Sequence, residues 1–143
     1  MKRRYYIIIL LLSLVAAKIR AAVGHPFFVN FTTADYGAHN RNFDILSDDY
    51  GRVYVANFEG LLCYDQSKWT VIHAPGIFRI TRLYKDHNGR IWVGGYNVFG
   101  YLSSANNGEL KLNTVFSRDN KGFIGEVTGI SEEGGKICIE TSI

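Results

Sequence analysis

Asp48-Asp49-Tyr50-Gly51-Arg52-Val53-Tyr54-Val55-Ala56 decides the fold, because the chain contains the same pattern again. Shifted by 38 residues it reads Asp86-His87-Asn88-Gly89-Arg90-Ile91-Trp92-Val93-Gly94. Shifted by a further 46 it reads Glu132-Glu133-Gly134-Gly135-Lys136-Ile137-Cys138-Ile139. Each copy is an acidic residue, a polar pair, Gly, a basic residue and then an apolar run of period two. That period is the mark of a strand, and the Gly falls where a two-residue hairpin turn requires positive φ.

The flanks repeat as well. A strand is predicted before each turn, at Phe43–Ser47, Ile80–Lys85 and Val127–Ser131. After the turns come Gly60–Asp65 and Phe99–Leu102, then a fourth strand at Trp69–His73 and again at Leu110–Phe116. Four short antiparallel strands recurring about every 40 residues are the signature of propeller blades. The expected fold is therefore all-β, an incomplete β-propeller. Its blade units lie at about 43–73, 80–116 and 126–143, the last of them partial. Closed propellers use roughly four to eight blades, so the chain reads as a piece of a longer protein or a truncated product. Phe27–Phe31 is expected as a strand that would complete the final blade of a closed ring.

The composition agrees with this. Among 143 residues there are nine Tyr, nine Phe, two Trp and 15 Gly but only two Pro. Planar rings fill pleated faces, and Gly supplies the turns between short strands. The N-terminus has a different character. Lys2, Arg3 and Arg4 precede the apolar run Ile7–Ala17, and small residues follow at Ala21 and Ala22. This is the layout of a secretory signal peptide, expected over residues 1–22. Eleven residues at about 1.5 Å each fall well short of a bilayer core about 30 Å thick, and an uncleaved N-terminal anchor extended through Lys18 and Arg20 stands as the alternative. Removing the leader takes away Lys2, Arg3, Arg4, Lys18 and Arg20, so the overall charge of +3 becomes 11 basic against 13 acidic residues. Nucleic acid and membrane surface are accordingly not expected as partners of the mature segment. Cys63 and Cys138 each sit in an apolar strand-like run and read as buried free thiols. A disulfide between them stays open as an alternative in an oxidising compartment.

The pattern Gly89-Arg90-Ile91-Trp92-Val93-Gly94, with Leu61-Leu62 and Tyr64-Asp65 after the first copy, resembles the two-component-regulator propeller repeat. Gly24–Thr32, Asp35-Tyr36, Asn42–Ile45 and Phe99-Gly100-Tyr101-Leu102 are similar to the N-terminal part of such sensors in Bacteroides-type bacteria, of hybrid two-component or LuxR-type. The third copy departs from the pattern, with Cys138 where Tyr54 and Trp92 stand in the first two. The resemblance implies the periplasmic, ligand-sensing region of a signal-transduction and transcription regulator anchored in the inner membrane. Any kinase or DNA-binding output would lie in a further C-terminal part, and the remaining blades of the parent protein would be partners.

No catalytic grouping stands out, so the chain is expected not to be an enzyme itself. His25, His39, His73 and His87 are dispersed without metal-ligand spacing, and no metal or cofactor is expected. The Asp86-x-x-Gly89 element reads as a side chain bracing a tight turn. Trp69 and Trp92 read as filling between blades. The loops joining second to third strands, and those joining successive blades, share one face of a propeller. They carry the candidate ligand contacts Asn57, Glu59, Arg79, Arg82, Tyr96 and Asn97, with Phe58 beside them. Aromatic and amide groups together suit carbohydrate, whose apolar ring face stacks while its hydroxyls hydrogen-bond. The alternative is a fragment of a secreted propeller hydrolase or lyase, which clustered acids on that face would favour; only Glu59 stands there. A scaffold that binds protein through open strand edges is a third reading.

Overall fold

After each repeated turn the apolar residues alternate, and in the computed structural model each such run is a strand. The described residues are 28–73, 79–106, 108–117, 122 and 124–142. The expected signal peptide lies outside them. Among the described residues no helix is long and apolar enough to cross a membrane. The chain divides into two units, Met1–Asn30 and Phe31–Ile143, and among the described residues every strand belongs to the second.

The first sheet is β1 (Asn42–Ser47), β2 (Val53–Asn57), β3 (Gly60–Tyr64) and β4 (Trp69–Ile72), antiparallel in chain order. The second repeats it with β5 (Ile80–Lys85), β6 (Ile91–Gly95), β7 (Val98–Ser104) and β8 (Leu110–Ser117). A hairpin of β9 (Glu126–Glu133) and β10 (Lys136–Ser142) follows. The fold is all-β, two four-stranded propeller blades and part of a third. Even the irregularities repeat: the first strand of each full blade is bulged near its start, between Asn42 and Asp44 and between Ile80 and Arg82.

The core lies between the first two blades. Tyr54, Ala56, Leu61, Cys63 and Ile72 from one meet Leu83, Ile91, Val93, Leu102 and Leu112 from the other. Tyr54, Val55 and Ala56 of β2 and Val93, Gly94 and Gly95 of β6 are buried in succession, so both strands are covered on both faces. Asp44 ties the same junction, its Oδ2 accepting the Leu83 N–H at 2.9 Å. The junction of the second blade with the third hairpin uses closeness instead of bulk. A Cβ on Gly94 would stand 2.6 Å from Val127 Cγ1, so only glycine lets β9 lie this near. Above it the Thr81 hydroxyl donates to the Val127 carbonyl at 2.7 Å, and Arg82 Nε donates to the Thr128 carbonyl at 2.6 Å.

The turns correct one expectation. In the first two copies the hairpin loop has three residues. Asp48 N–H donates to the Arg52 carbonyl (3.0 Å) and Gly51 N–H to the Asp48 carbonyl (3.2 Å), with Gly51 at φ 77°. Asp86, Arg90 and Gly89 repeat this at 3.0 Å, 2.9 Å and φ 78°. This is a type I turn closed by a glycine bulge. Only the third copy makes the two-residue turn: Glu133 pairs with Lys136 across Gly134 (φ 55°) and Gly135 (φ 75°).

Two further expectations change. Phe28–Phe31 forms no strand; the Phe31 ring packs against Tyr64 and Trp69 at 4.9 and 5.2 Å. A single helical turn, α1 (Thr33–Tyr36), follows and brings Tyr36 edge-on to Trp69 at 5.7 Å. Both cysteines are free, but only Cys63 is buried; Cys138, in the last hairpin, is exposed. Trp69 and Trp92 are half-buried within aromatic clusters, Trp92 stacked on Phe99 with ring centres 5.4 Å apart.

Candidate functional site

Two chemically distinct sets of polar residues arise from the repeat, one at each end of the strands. At the end carrying the β1–β2 and β5–β6 loops, the repeated aspartate is the organiser. Asp48 Oδ1 accepts the Tyr50 and Arg52 N–H groups at 2.9 Å each, while Oδ2 accepts Arg52 Nε at 2.6 Å and the Tyr54 hydroxyl at 3.1 Å. Asp86 Oδ1 accepts the Asn88 and Arg90 N–H groups and Oδ2 the Trp92 indole N–H, all at 2.9 Å. Burial pushes both carboxyls up, but the donated hydrogen bonds outweigh it and hold both below the usual carboxylate range. Burial also pushes the Tyr54 phenol and the Cys63 thiol up. The carboxylates are spent on the turns, as the bracing role of Asp86 anticipates. The third copy has no such brace: Cys138 stands where the Tyr54 or Trp92 donor would be, and the turn is shorter. A cleft of about 520 Å³ near this end is lined by Arg52, Asp65, Lys68, Thr70, His73 and Glu109. Its charges are in part already used, Arg52 on Asp48 and Asp65 on the Ser67 and Lys68 N–H groups.

The opposite end carries the sequence-predicted ligand contacts, and they separate into two kinds. Asn57 is completely buried. Its Nδ2 donates to the His39 carbonyl and Asn42 Oδ1 at 2.6 Å each, and its Oδ1 accepts the Glu59 N–H at 2.9 Å. Asn97, also buried and at φ 55°, accepts the Ile124 and Gly125 N–H groups at 3.2 and 3.1 Å. Arg82 spends its guanidinium on the Thr128 and Thr81 carbonyls. These three are fold ties. Glu59 is exposed on the β2–β3 turn beside Phe58.

Arg79 and Tyr96 are brought together. Tyr96 N–H donates to the Arg79 carbonyl at 3.0 Å, and the Arg79 guanidinium lies over the Tyr96 ring at 5.1 Å. Glu126, which the sequence reading missed, completes the group: its Oε2 is 3.1 Å from Arg79 Nη2, and it bridges to Tyr96 across the strands. Tyr96 is 46% exposed. The first blade builds the same turn, with Phe58 N–H donating to the Arg41 carbonyl at 3.1 Å. Arg41 and Arg79 are 38 residues apart, so the repeated Arg was a signal available for this position. An exposed ring held flat by a guanidinium, with a carboxylate beside it, offers a stacking surface and both donors and acceptors for hydroxyl groups. Among the described residues no three His, Cys, Asp or Glu side chains converge on a metal-sized site.

No curated protein and no solved structure matches the chain. Residues 77–97, the segment that holds β5, the Asp86 turn, β6 and the Tyr96–Asn97 turn, match the family described as two component regulator propeller.

Proposed function

We propose that this chain is part of the extracytoplasmic, ligand-sensing propeller of a bacterial signal-transduction regulator, responsive to a glycan or its breakdown product. In this reading the mature chain is exported to the periplasm, is not itself an enzyme, and passes its signal to output domains elsewhere in the parent protein. The match of residues 77–97 carries the regulatory part. The Arg79–Tyr96–Glu126 group supports carbohydrate as the ligand class, because ring stacking and hydroxyl hydrogen bonds can be made there together.

Two experiments test the reading separately. Export is tested by fusing a reporter active only in the periplasm behind the chain; activity that vanishes on deletion of residues 1–22 is expected, and activity without those residues would overturn the location. Binding is tested by calorimetric titration with a panel of neutral and acidic oligosaccharides. One stacked sugar ring is worth roughly 1 kcal/mol, so Tyr96→Ala should weaken binding about tenfold or less. Its unfolding midpoint should be unchanged. No binding across the panel, or equal binding by Tyr96→Ala, rejects this group as the glycan site.

A further inference from the structure

Two contacts between an acidic and a basic side chain join consecutive repeats at places made equivalent by strand pairing, Lys85 opposite Ile91 and Glu132 opposite Ile137, and their polarity is reversed. Between the first and second blades, Asp49 in the β1–β2 loop meets the Lys85 ammonium at the end of β5, at 2.8 Å. Between the second blade and the third hairpin, His87 in the β5–β6 loop meets Glu132 near the end of β9. The His87 backbone N–H also donates to the same carboxylate at 3.1 Å. Asp49 and His87 each follow the bracing aspartate directly and are equivalent under the 38-residue shift. The first junction has its acid in the loop and its base on the strand. The second has its base in the loop and its acid on the strand.

As stabilisation the pairs are minor, because Asp49 and His87 are 74% and 63% exposed. As discrimination they are not. Specificity is the difference between right and wrong partners, and in this molecule the wrong partners are built alike. The loops at 48–52 and 86–90 have the same backbone hydrogen bonds and the same glycine bulge. A strand docked one repeat out of place would find a familiar surface. If β9 docked on the first blade, Glu132 would face Asp49. If β5 docked on the loop of the second blade, Lys85 would face His87. The first mismatch sets carboxylate against carboxylate, and the second leaves the Lys85 ammonium without a carboxylate. Swapped or skipped docking of near-identical units is the characteristic misassembly of repeat folds.

We propose that the Asp49–Lys85 and His87–Glu132 pairs form a polarity code that fixes the order in which repeats dock, within one chain and against other chains. The code acts on the outcome of folding more than on the stability of the folded state.

The test is refolding of the whole chain from denaturant, with monomer and oligomer separated by size exclusion with light scattering. Asp49→Lys/Lys85→Glu keeps an attractive pair at the first junction but gives both junctions the same polarity. Its unfolding midpoint should match the wild type, while the oligomeric fraction rises by up to about fivefold, the most that one exposed pair can shift a partition. His87→Asp/Glu132→Lys equalises the polarity in the opposite sense and should misassemble likewise, which keeps the test valid if the first variant does not fold. Combining all four substitutions reverses both junctions, restores their contrast and should return the oligomeric fraction to the wild-type level. Wild-type refolding by both paired variants overturns the code. So does a fourfold variant that misassembles as much as they do.

Discussion

Replacing Asp86 measures how much of a blade depends on one carboxylate. Three donors converge on it at 2.9 Å: two backbone N–H groups of the turn and the indole of Trp92. Hydrogen bonds to a charged acceptor contribute about 1.5–3 kcal/mol each when enclosed. Asn88 and Arg90 are exposed, so water compensates part of the loss at the turn. On that basis Asp86→Ala should cost roughly 3 kcal/mol. Asp86→Asn retains the turn acceptor but loses the indole bond, which should cost about 1.5 kcal/mol. Urea unfolding followed by tryptophan fluorescence reads both, since Trp92 is itself a reporter. The pH dependence has a definite sign. Hydrogen bonds hold the folded carboxyl below its usual range, so its contribution is complete above that range and is lost as pH falls through the depressed folded value. The stability gap between wild type and Asp86→Asn should therefore be constant near neutrality and close below about pH 4. An Asn variant as stable as the wild type would refute the brace. A gap that persists unchanged into acid would refute the role of the charge.

The third hairpin and the thiols give two more tests. Gly94→Ala forces a methyl onto Val127 and should cost about 1–3 kcal/mol; hydrogen exchange should quicken in β9 and β10 while β1–β4 keep their protection, and unchanged exchange in β9 would show that the close approach is not needed. A thiol reagent should label Cys138 at once and Cys63 only on unfolding, because burial both covers that sulfur and disfavours its thiolate; immediate labelling of both would contradict the inter-blade core.

The strands were legible because their evidence is local. Period-two alternation and a glycine at a fixed offset placed Ile80–Lys85 with the limits the structure has, and the other strands within a few residues. What was not legible depends on distant or single-residue facts. Gly134-Gly135 and the Asp-x-x-Gly turns look alike in a pattern, yet one residue of loop length separates a two-residue turn from a bulged one. The exposure of Cys138 follows from what packs over its face of the hairpin, and its apolar neighbours carry no sign of that. In sequence Asn57 and Asn97 fit a ligand contact as well as a brace, because an amide that braces a turn and one that meets a ligand are the same residue on the same loop. Only the positions of His39 and Gly125, far away in sequence, separate the two roles. Glu126 carries no signal in the sequence for the same reason, since its pairing with Arg79 is made by folding and not by spacing.

The aspartate brace has a consequence in time. Every bond to Asp48 and Asp86 comes from a residue no more than six positions along the chain, so each hairpin can lock before any neighbour exists. Contacts this local form early, because little chain entropy is lost in closing them. The tie from Asp44 to Leu83 and the fit of Val127 over Gly94 span far more chain and come late. Substitutions at the brace should thus slow folding, whereas those at the junctions should mainly quicken unfolding, a division that a chevron plot reads directly. A chain emerging residue by residue would then build its blades in order, each hairpin set before the next one needs a surface to dock on.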